Sequence, residues 1–156
     1  MRAFRSGLSL ALAATLALGA CSAAPDNDGL VLASARTGSA GELDRQLDGV
    51  LTAMIASAEI DPDGKLQYNR ALGDPRFLEP NSGRYWQVSG AGRDAVRSRS
   101  LWNRTLAVSG SKAWTEPLAY DSDQFPDEPL RIAERTVHLP GSDVEWQFAV
   151  AAARPR

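Results

Sequence analysis

The chain is poor in the residues that carry most enzyme chemistry. Its 156 residues include one cysteine, Cys21, and one histidine, His138. A single cysteine cannot form an internal disulfide, and one histidine is too little for a zinc site or a histidine-based catalytic triad. The glycines Gly83, Gly90 and Gly92 lie in turn-like sequence, not at the strand-to-helix junction that a phosphate-binding loop requires. The sequence therefore predicts no catalytic residues, no metal or other cofactor, and no kinase core.

An excess of charge of one sign is also missing. The formal net charge is −2, and residues 1–20 contain two arginines and no acid, so the remainder is more acidic than the whole. A mildly acidic protein has no electrostatic basis for binding nucleic acid. A content of 44% hydrophobic and 23% charged residues excludes a disordered chain and fits one globular domain.

The first 20 residues have the pattern of a bacterial lipoprotein signal. Arg2 and Arg5 precede an apolar run, and Leu18-Gly19-Ala20-Cys21 matches the lipobox, in which the cysteine becomes the lipidated first residue. We predict a signal peptide at 1–20, lipidation at Cys21 and attachment to the membrane by this lipid. Two alternatives stay open: an ordinary secretory signal, or an uncleaved anchor helix over 8–24.

A polar stretch, residues 21–38, follows the lipobox and is predicted to be a tether. Ser22 comes directly after Cys21, and in Gram-negative lipoproteins a serine there usually permits transfer to the outer membrane. The predicted location is therefore the periplasmic face of the bacterial cell envelope, with the outer membrane favoured.

A long amphipathic helix is predicted to start at Ser39, which forms an S-x-x-E capping box with Glu42. Its apolar positions recur at helical spacing and are Leu43, Leu47, Val50, Leu51, Met54, Ile55 and Ala58. This stripe fits a helix that covers a sheet. The 4-3-4 spacing within 43–54 also fits a dimer seam, so a homodimer is a second possibility.

Strand-like runs are predicted near 65–68, 84–89, 95–102, 130–139 and 143–152. The last run alternates without a break, whereas the apolar phase of 130–139 shifts partway and suggests a bulge. Residues 115–129, rich in proline and acid, are predicted to be a loop. The fold class is α+β, with the long N-terminal helix packed on a five-stranded antiparallel sheet.

Three ordered motifs lie in residues 74–102. They are Asp74-Pro75-Arg76-Phe77, Ser82-Gly83-x-Tyr85-Trp86-Gln87 and Arg97-Ser98-Arg99-Ser100-Leu101-Trp102. With these motifs the stretch resembles the extracytoplasmic sensor domain of bacterial two-component histidine kinases, in the PhoQ-like sensor group. The resemblance implies a PAS-like sensor fold for residues 39–153 and a role in signal transduction. It also implies a sensor kinase as an alternative partner for the helix at 43–54. Relatives with such a domain are histidine kinases.

Two groups of side chains are candidate binding residues. Arginine guanidinium groups suit carboxylates or phosphates, and the predicted pocket for a small anionic ligand is lined by Tyr85, Gln87, Arg97, Arg99, Trp102 and Arg131. The PhoQ-like sensors respond to divalent cations, and the candidate cation ligands here are Asp121, Asp123, Asp127 and Glu128. Solvated surface positions with local ion pairs are the plainer interpretation of both groups.

The expected function is a membrane-anchored periplasmic sensory or ligand-binding module with no catalytic core of its own. One alternative is an interaction lipoprotein that takes no small-molecule ligand. Another is the truncated remnant of a sensor histidine kinase.

Overall fold

A computed structural model of the chain describes residues 28–68, 72–110, 112 and 115–155, with the backbone alone for residues 28–39. The predicted signal peptide and Cys21 lie outside these residues. In chain order the elements are α1 (Asp28–Ser57), β1 (Ala58–Ile60), β2 (Leu66–Tyr68), a 3-10 helix (Pro75–Leu78), β3 (Arg84–Gly90), β4 (Val96–Arg97), a second 3-10 helix (Arg99–Leu101), β5 (Leu118–Phe125), β6 (Glu128–His138) and β7 (Glu145–Ala153).

Strands β3 to β7 form one antiparallel sheet in the order β4-β3-β7-β6-β5. The central strand β7 pairs with β3 on one side and with β6 on the other, without a break in either register. Its unbroken alternation in the sequence reflects this position, since every second side chain faces the same layer. The helix and the five-stranded antiparallel sheet confirm the α+β prediction.

The strand predicted at 65–68 is present, but its predicted place in the main sheet is wrong, and so is the loop predicted at 115–129. Residues 65–68 contribute β2, which pairs with β1 in a separate two-stranded ribbon and not with the main sheet. Residues 118–125, predicted as part of a loop, are the edge strand β5 and pair with β6. The acidic side chains of β5 gave the appearance of a loop. Charged residues are common on edge strands, where they discourage pairing with another chain.

The predicted strand 95–102 is also wrong over most of its length. Only Val96 and Arg97 pair with β3, and the chain then turns into the second 3-10 helix. The hydroxyl of Ser98 accepts a hydrogen bond from the Trp86 N–H at 3.0 Å. Beyond the end of β4, this side-chain oxygen therefore takes the place of the backbone carbonyl of a paired strand. Trp102 ends this helix with φ 53° and ψ −109°, which is incompatible with a continuing strand.

Helix α1 begins earlier than predicted. It starts at Asp28, so the predicted start at Ser39 lies inside the helix and most of the predicted tether is helical. The Glu42 carboxylate accepts hydrogen bonds from Arg45 and Gln46, the following residues on its own helix, in place of the predicted capping box. In the described part of the chain, no helix is long and apolar enough to cross a membrane.

The apolar stripe of α1 packs on the sheet. Leu47, Leu51 and Met54 are fully buried against Trp146, Phe148 and other side chains of β6 and β7. Fully burying such a side chain contributes about 1.5–3 kcal/mol. Two of the four positions of the predicted dimer seam, Leu47 and Met54, are thus buried within one chain, and a contact of another chain with this helix stays a prediction.

The second face of the sheet is covered as well. Residues 102–110, which we call the crossing segment, place Leu106 over Tyr85, Ile132 and Ala149. Because both faces of the sheet are covered, β6 buries apolar side chains on both faces. This explains why the apolar positions of its sequence shift from one set of alternate residues to the other. This strand pairs with β7 in one continuous register, and the irregularity lies in β5 between Ser122 and Phe125.

Two glutamine side chains of the sheet bind the backbone of the crossing segment. The buried amide of Gln87 accepts from the Leu106 N–H and donates to the Leu106 carbonyl, both at 3.0 Å. Gln124 does the same for Ala107, at 2.6 and 3.3 Å. Each side-chain amide therefore makes the two hydrogen bonds that a paired strand would make with that residue. The backbone groups of the crossing segment would otherwise be unpaired.

Glutamate side chains fix the two ends of the crossing segment. The fully buried carboxylate of Glu134 accepts from the backbone N–H and the hydroxyl of Ser109 and from the Tyr120 hydroxyl. Burial, and then the bond to Glu134, raises the pKa of Tyr120 to about 12. At the other end, Arg104 donates to Glu128 at 2.8 Å. The crossing segment is thus held on the second face of the sheet by specific hydrogen bonds and ion pairs in addition to apolar contacts.

Candidate functional site

A groove of about 460 Å³ lies between the β1–β2 ribbon and the two 3-10 helices. A cavity of this size fits the usual range for small-molecule sites. Its walls are mostly apolar, with two arginines among the lining residues, which are Tyr68, Leu72, Gly73, Asp74, Pro75, Phe77, Leu78, Trp86, Arg97, Ser98 and Arg99. Seven of these eleven residues come from segments 74–78 and 97–99, the parts of the chain that carry two of the three motifs.

The wall formed by 74–78 is built by its own sequence. Asp74 caps the 3-10 helix: its carboxylate accepts from the Arg76 N–H at 3.0 Å, and Pro75 supplies the fixed φ that suits a first helical position. The Arg76 guanidinium donates to both Asp74 oxygens, at 2.9 and 2.7 Å, and this bonding lowers the pKa of Asp74. The turn buries Phe77 and leaves Leu78 62% exposed at the groove.

The opposite wall is fixed by two buried serines. The hydroxyls of Ser98 and Ser100 lie 2.8 Å apart, and Ser100 donates to the Arg84 carbonyl at 2.6 Å. The Asn81 N–H donates to the Ser100 carbonyl at 2.9 Å, which ties the second 3-10 helix to the end of the first wall. These bonds give the groove a preformed shape.

The floor of the groove is aromatic. Trp86 and Tyr68 meet edge to face with ring centroids 5.2 Å apart. The Tyr68 hydroxyl oxygen is buried and has no hydrogen-bond partner among the described residues. Burial alone raises the pKa of Tyr68, so the phenol stays neutral. An unpaired buried hydroxyl is costly in a folded protein, by about 1–3 kcal/mol.

Positive charge lies at the rim. Arg97 and Arg99 are exposed, and across the described residues neither forms an ion pair with a carboxylate. One nitrogen of Arg97 donates to the Arg104 carbonyl at 3.1 Å and to the Thr105 hydroxyl at 2.9 Å. Nearby, burial and then the charge of Arg76 lower the pKa of Arg84. Since Asp74 is neutralised by Arg76, the groove carries net positive charge.

The predicted ligand residues do not form one site. Arg97 and Arg99 line the groove, whereas Tyr85 and Gln87 are buried on the other face of β3, beneath the crossing segment. Trp102 is 66% exposed and does not line the groove. The structure does not bring these side chains into one pocket, because Tyr85 and Gln87 lie beneath the crossing segment, whereas Trp86 between them faces the groove.

Tyr85 belongs to a structural cluster. Its hydroxyl donates to Glu128 at 2.7 Å and accepts from Arg104 at 2.7 Å and from the Gly83 N–H at 3.0 Å. The Arg104 guanidinium lies over the rings of Tyr85 and Phe125, 4.8 and 4.2 Å from the centroids. Burial, followed by the bond to Glu128, raises the pKa of Tyr85. Its hydroxyl has no capacity left for a ligand.

Arg131, the sixth predicted ligand residue, connects the helix to the sheet. It donates to both Asp44 oxygens at 2.7 and 2.8 Å and to Asp121 at 3.1 Å. The bond to Arg131 lowers the pKa of Asp44. Arg131 faces the helix layer, because its register partner is Ala152, so it lies on the opposite face of the sheet from Tyr85.

The predicted cation site is also wrong as a group. Asp121 is bonded to Arg131 and Arg154, and Glu128 to Arg104 and Tyr85, so both carboxylates already have cationic partners. Asp123 lies on the exposed edge of β5, and Asp127 lies in the β5–β6 turn with φ 62°. Within the described ranges, no three acidic, histidine or cysteine side chains come together in a way that could hold a metal ion.

Comparison with known proteins adds no family assignment. No protein-family model matches the chain, and neither curated proteins nor solved structures give a significant match.

The aromatic and aliphatic residues of the groove, Tyr68, Leu72, Phe77 and Trp86, were absent from the predicted site. Their signal was indirect: Phe77 and Trp86 belong to the motifs that support the resemblance.

Proposed function

We propose that the protein is a sensory or ligand-binding module of the bacterial cell envelope, held to the membrane by a lipid on Cys21. It faces the periplasm, with the outer membrane favoured, and has no catalytic core. The observation that carries this proposal is the groove over Trp86 and Phe77. It is preformed, mostly apolar, and rimmed by arginines that have no carboxylate partner among the described residues.

The PAS-like assignment forms part of the proposal. The described fold supports it in three ways. A long helix precedes the sheet and packs on one face, the first and last strands of the sheet are central neighbours, and a long irregular crossing between its second and third strands covers the other face. Such an arrangement agrees with the resemblance of residues 74–102 to the sensor domain of histidine kinases.

A thermal-shift panel of small organic acids, alcohols and amines tests ligand binding. The full chain in lipid nanodiscs should melt at a higher temperature with at least one compound, because a ligand that binds only the folded state stabilises it. At a concentration of 100 times Kd the stabilisation is about 2.7 kcal/mol.

Two matched leucine variants locate the binding. Leu78→Glu places a carboxylate in the groove at an exposed position and should abolish the shift. Leu118→Glu makes the same change on the edge strand β5 and should retain it. A panel without any stabilising compound would favour the interaction lipoprotein, and equal loss in both variants would place the ligand elsewhere.

A further inference from the structure

The groove over Trp86 combines an apolar wall with arginines that form no ion pair with a carboxylate in the described part of the chain. Resting on the proposed function, we propose that its ligand is a small amphipathic carboxylate. The apolar body lies against Trp86, Phe77 and Leu72, and the acid group binds at Arg99.

The apolar lining of the groove requires a ligand with an apolar part. Phe77 is 4% exposed and forms part of the core, Trp86 and Leu72 are partly buried against that core, and Leu78 is largely exposed. A polar solute would leave this surface without a complementary partner, whereas burying it contributes roughly 25 cal/mol per Å². The edge-to-face pair of Trp86 and Tyr68 offers a ring edge and a ring face, which suits an aromatic body.

The acid group is indicated by charge. Among the described residues that line the groove, the one carboxylate is Asp74, and both its oxygens are bonded by Arg76. Arg97 and Arg99 bring two positive charges without a carboxylate partner in the described part of the chain. A cationic ligand is disfavoured by this rim, and a neutral one would leave both guanidinium groups unused.

A carboxylate is favoured over a phosphate by the number of free donors. One guanidinium nitrogen of Arg97 is bound to the crossing segment, at the Arg104 carbonyl and the Thr105 hydroxyl. Arg99 is the rim arginine whose side chain forms no bond to another side chain among the described residues, so its planar fork is available. A single free fork matches a planar head with two oxygens, bound through two parallel N–H···O bonds.

Phenylbutyrate and phenylbutanol form a matched pair that tests the inference. We expect the full chain in nanodiscs to bind phenylbutyrate at least about tenfold more tightly, since hydrogen bonds to a charged group are stronger than neutral ones. Ligand-observed saturation-transfer NMR measures both affinities, with empty nanodiscs as the reference for partitioning into lipid. Phenyl phosphate serves as a third probe, and tighter binding of phosphate than of carboxylate would overturn the choice of head group.

Arginine variants assign the preference to the rim. Arg99→Gln should reduce the preference for the acid to about twofold or less, and Arg99→Lys should retain only part of it, because lysine keeps the charge without the fork. Arg45→Gln removes the same charge from an exposed position on α1 and should leave the preference unchanged. Melting temperatures of all variants should agree, since both arginines are exposed.

The outcomes separate this inference from the proposed function. Equal binding of acid and alcohol in the groove would overturn the carboxylate and leave ligand binding intact. Equal effects of Arg99→Gln and Arg45→Gln would overturn the role of the rim. If neither compound binds while another compound of the thermal-shift panel does, the chemical class is wrong. If no compound binds at all, the proposed function fails with it.

Discussion

Replacing Trp146 with alanine should lower the free energy of unfolding by about 3–5 kcal/mol, the range for removal of a large buried aromatic side chain. Trp146 is 1% exposed and its ring lies against β3, where a methyl group on Gly90 would come within 3.0 Å of it. Its indole N–H also donates to the Ser142 hydroxyl at 2.8 Å. Removal therefore leaves a cavity and takes one hydrogen bond from the Ser142 hydroxyl, which keeps its bonds to the Val144 backbone.

Trp102→Ala is the matched control for this change. Trp102 is 66% exposed, and its replacement should alter stability by no more than about 0.5 kcal/mol. Urea unfolding of the full chain, followed by far-ultraviolet circular dichroism, measures both variants. Similar losses at the two positions would contradict the placement of Trp146 at the centre of the helix–sheet core.

Replacing Gln87 with leucine should cost about 2–4 kcal/mol although the side chain changes little in size. The backbone N–H and carbonyl of Leu106 then lose their only partners in the described structure, and each unpaired buried group costs roughly 1–3 kcal/mol. The same unfolding measurement should also show faster hydrogen exchange at Leu106, because the crossing segment is released at that point.

Gln147→Leu provides the control on the neighbouring strand. The Gln147 side-chain nitrogen is buried without a partner among the described residues, so leucine should leave stability unchanged or raise it slightly. A Gln87→Leu variant as stable as Gln147→Leu would show that the paired bonds to Leu106 do not hold the crossing segment.

Strands β3, β6 and β7 were predictable because their local sequence and their position agree. Each is long and rich in aromatic and β-branched residues, and the predicted ranges 84–89, 130–139 and 143–152 differ from the observed strands by one or two residues at either end. The edge strand β5 was not predictable by the same reasoning. Its outward side chains include Asp121 and Asp123, and a strand paired on one side has less need of apolar residues.

The groove was only partly predictable, since its parts come from distant segments. Arg97 and Arg99 were identified from their chemistry, and both line it. Tyr68 and Leu72 were not identified, because their approach to Trp86 depends on how the β1–β2 ribbon packs beside the sheet. Tyr85 and Gln87 were misassigned for another reason. Tyr85 binds Arg104 and Glu128, and Gln87 binds the backbone of Leu106. These partners are 19 or 43 residues away along the chain, and no sequence pattern predicts contacts at such distances.

The indole signals of the tryptophans give the most direct test of ligand binding in the groove. The chain has four tryptophans, and a nitrogen-15-labelled sample in unlabelled nanodiscs shows only these in the indole region of a proton–nitrogen spectrum. Trp86 lines the groove, Trp146 lies in the helix–sheet core and Trp102 is exposed outside the groove. With the most stabilising compound of the thermal-shift panel, the Trp86 signal, assigned from Trp86→Phe, should shift in a saturable way while those of Trp102 and Trp146 stay in place. Saturable shifts at Trp102 or Trp146 with an unchanged Trp86 signal would contradict a binding site in this groove.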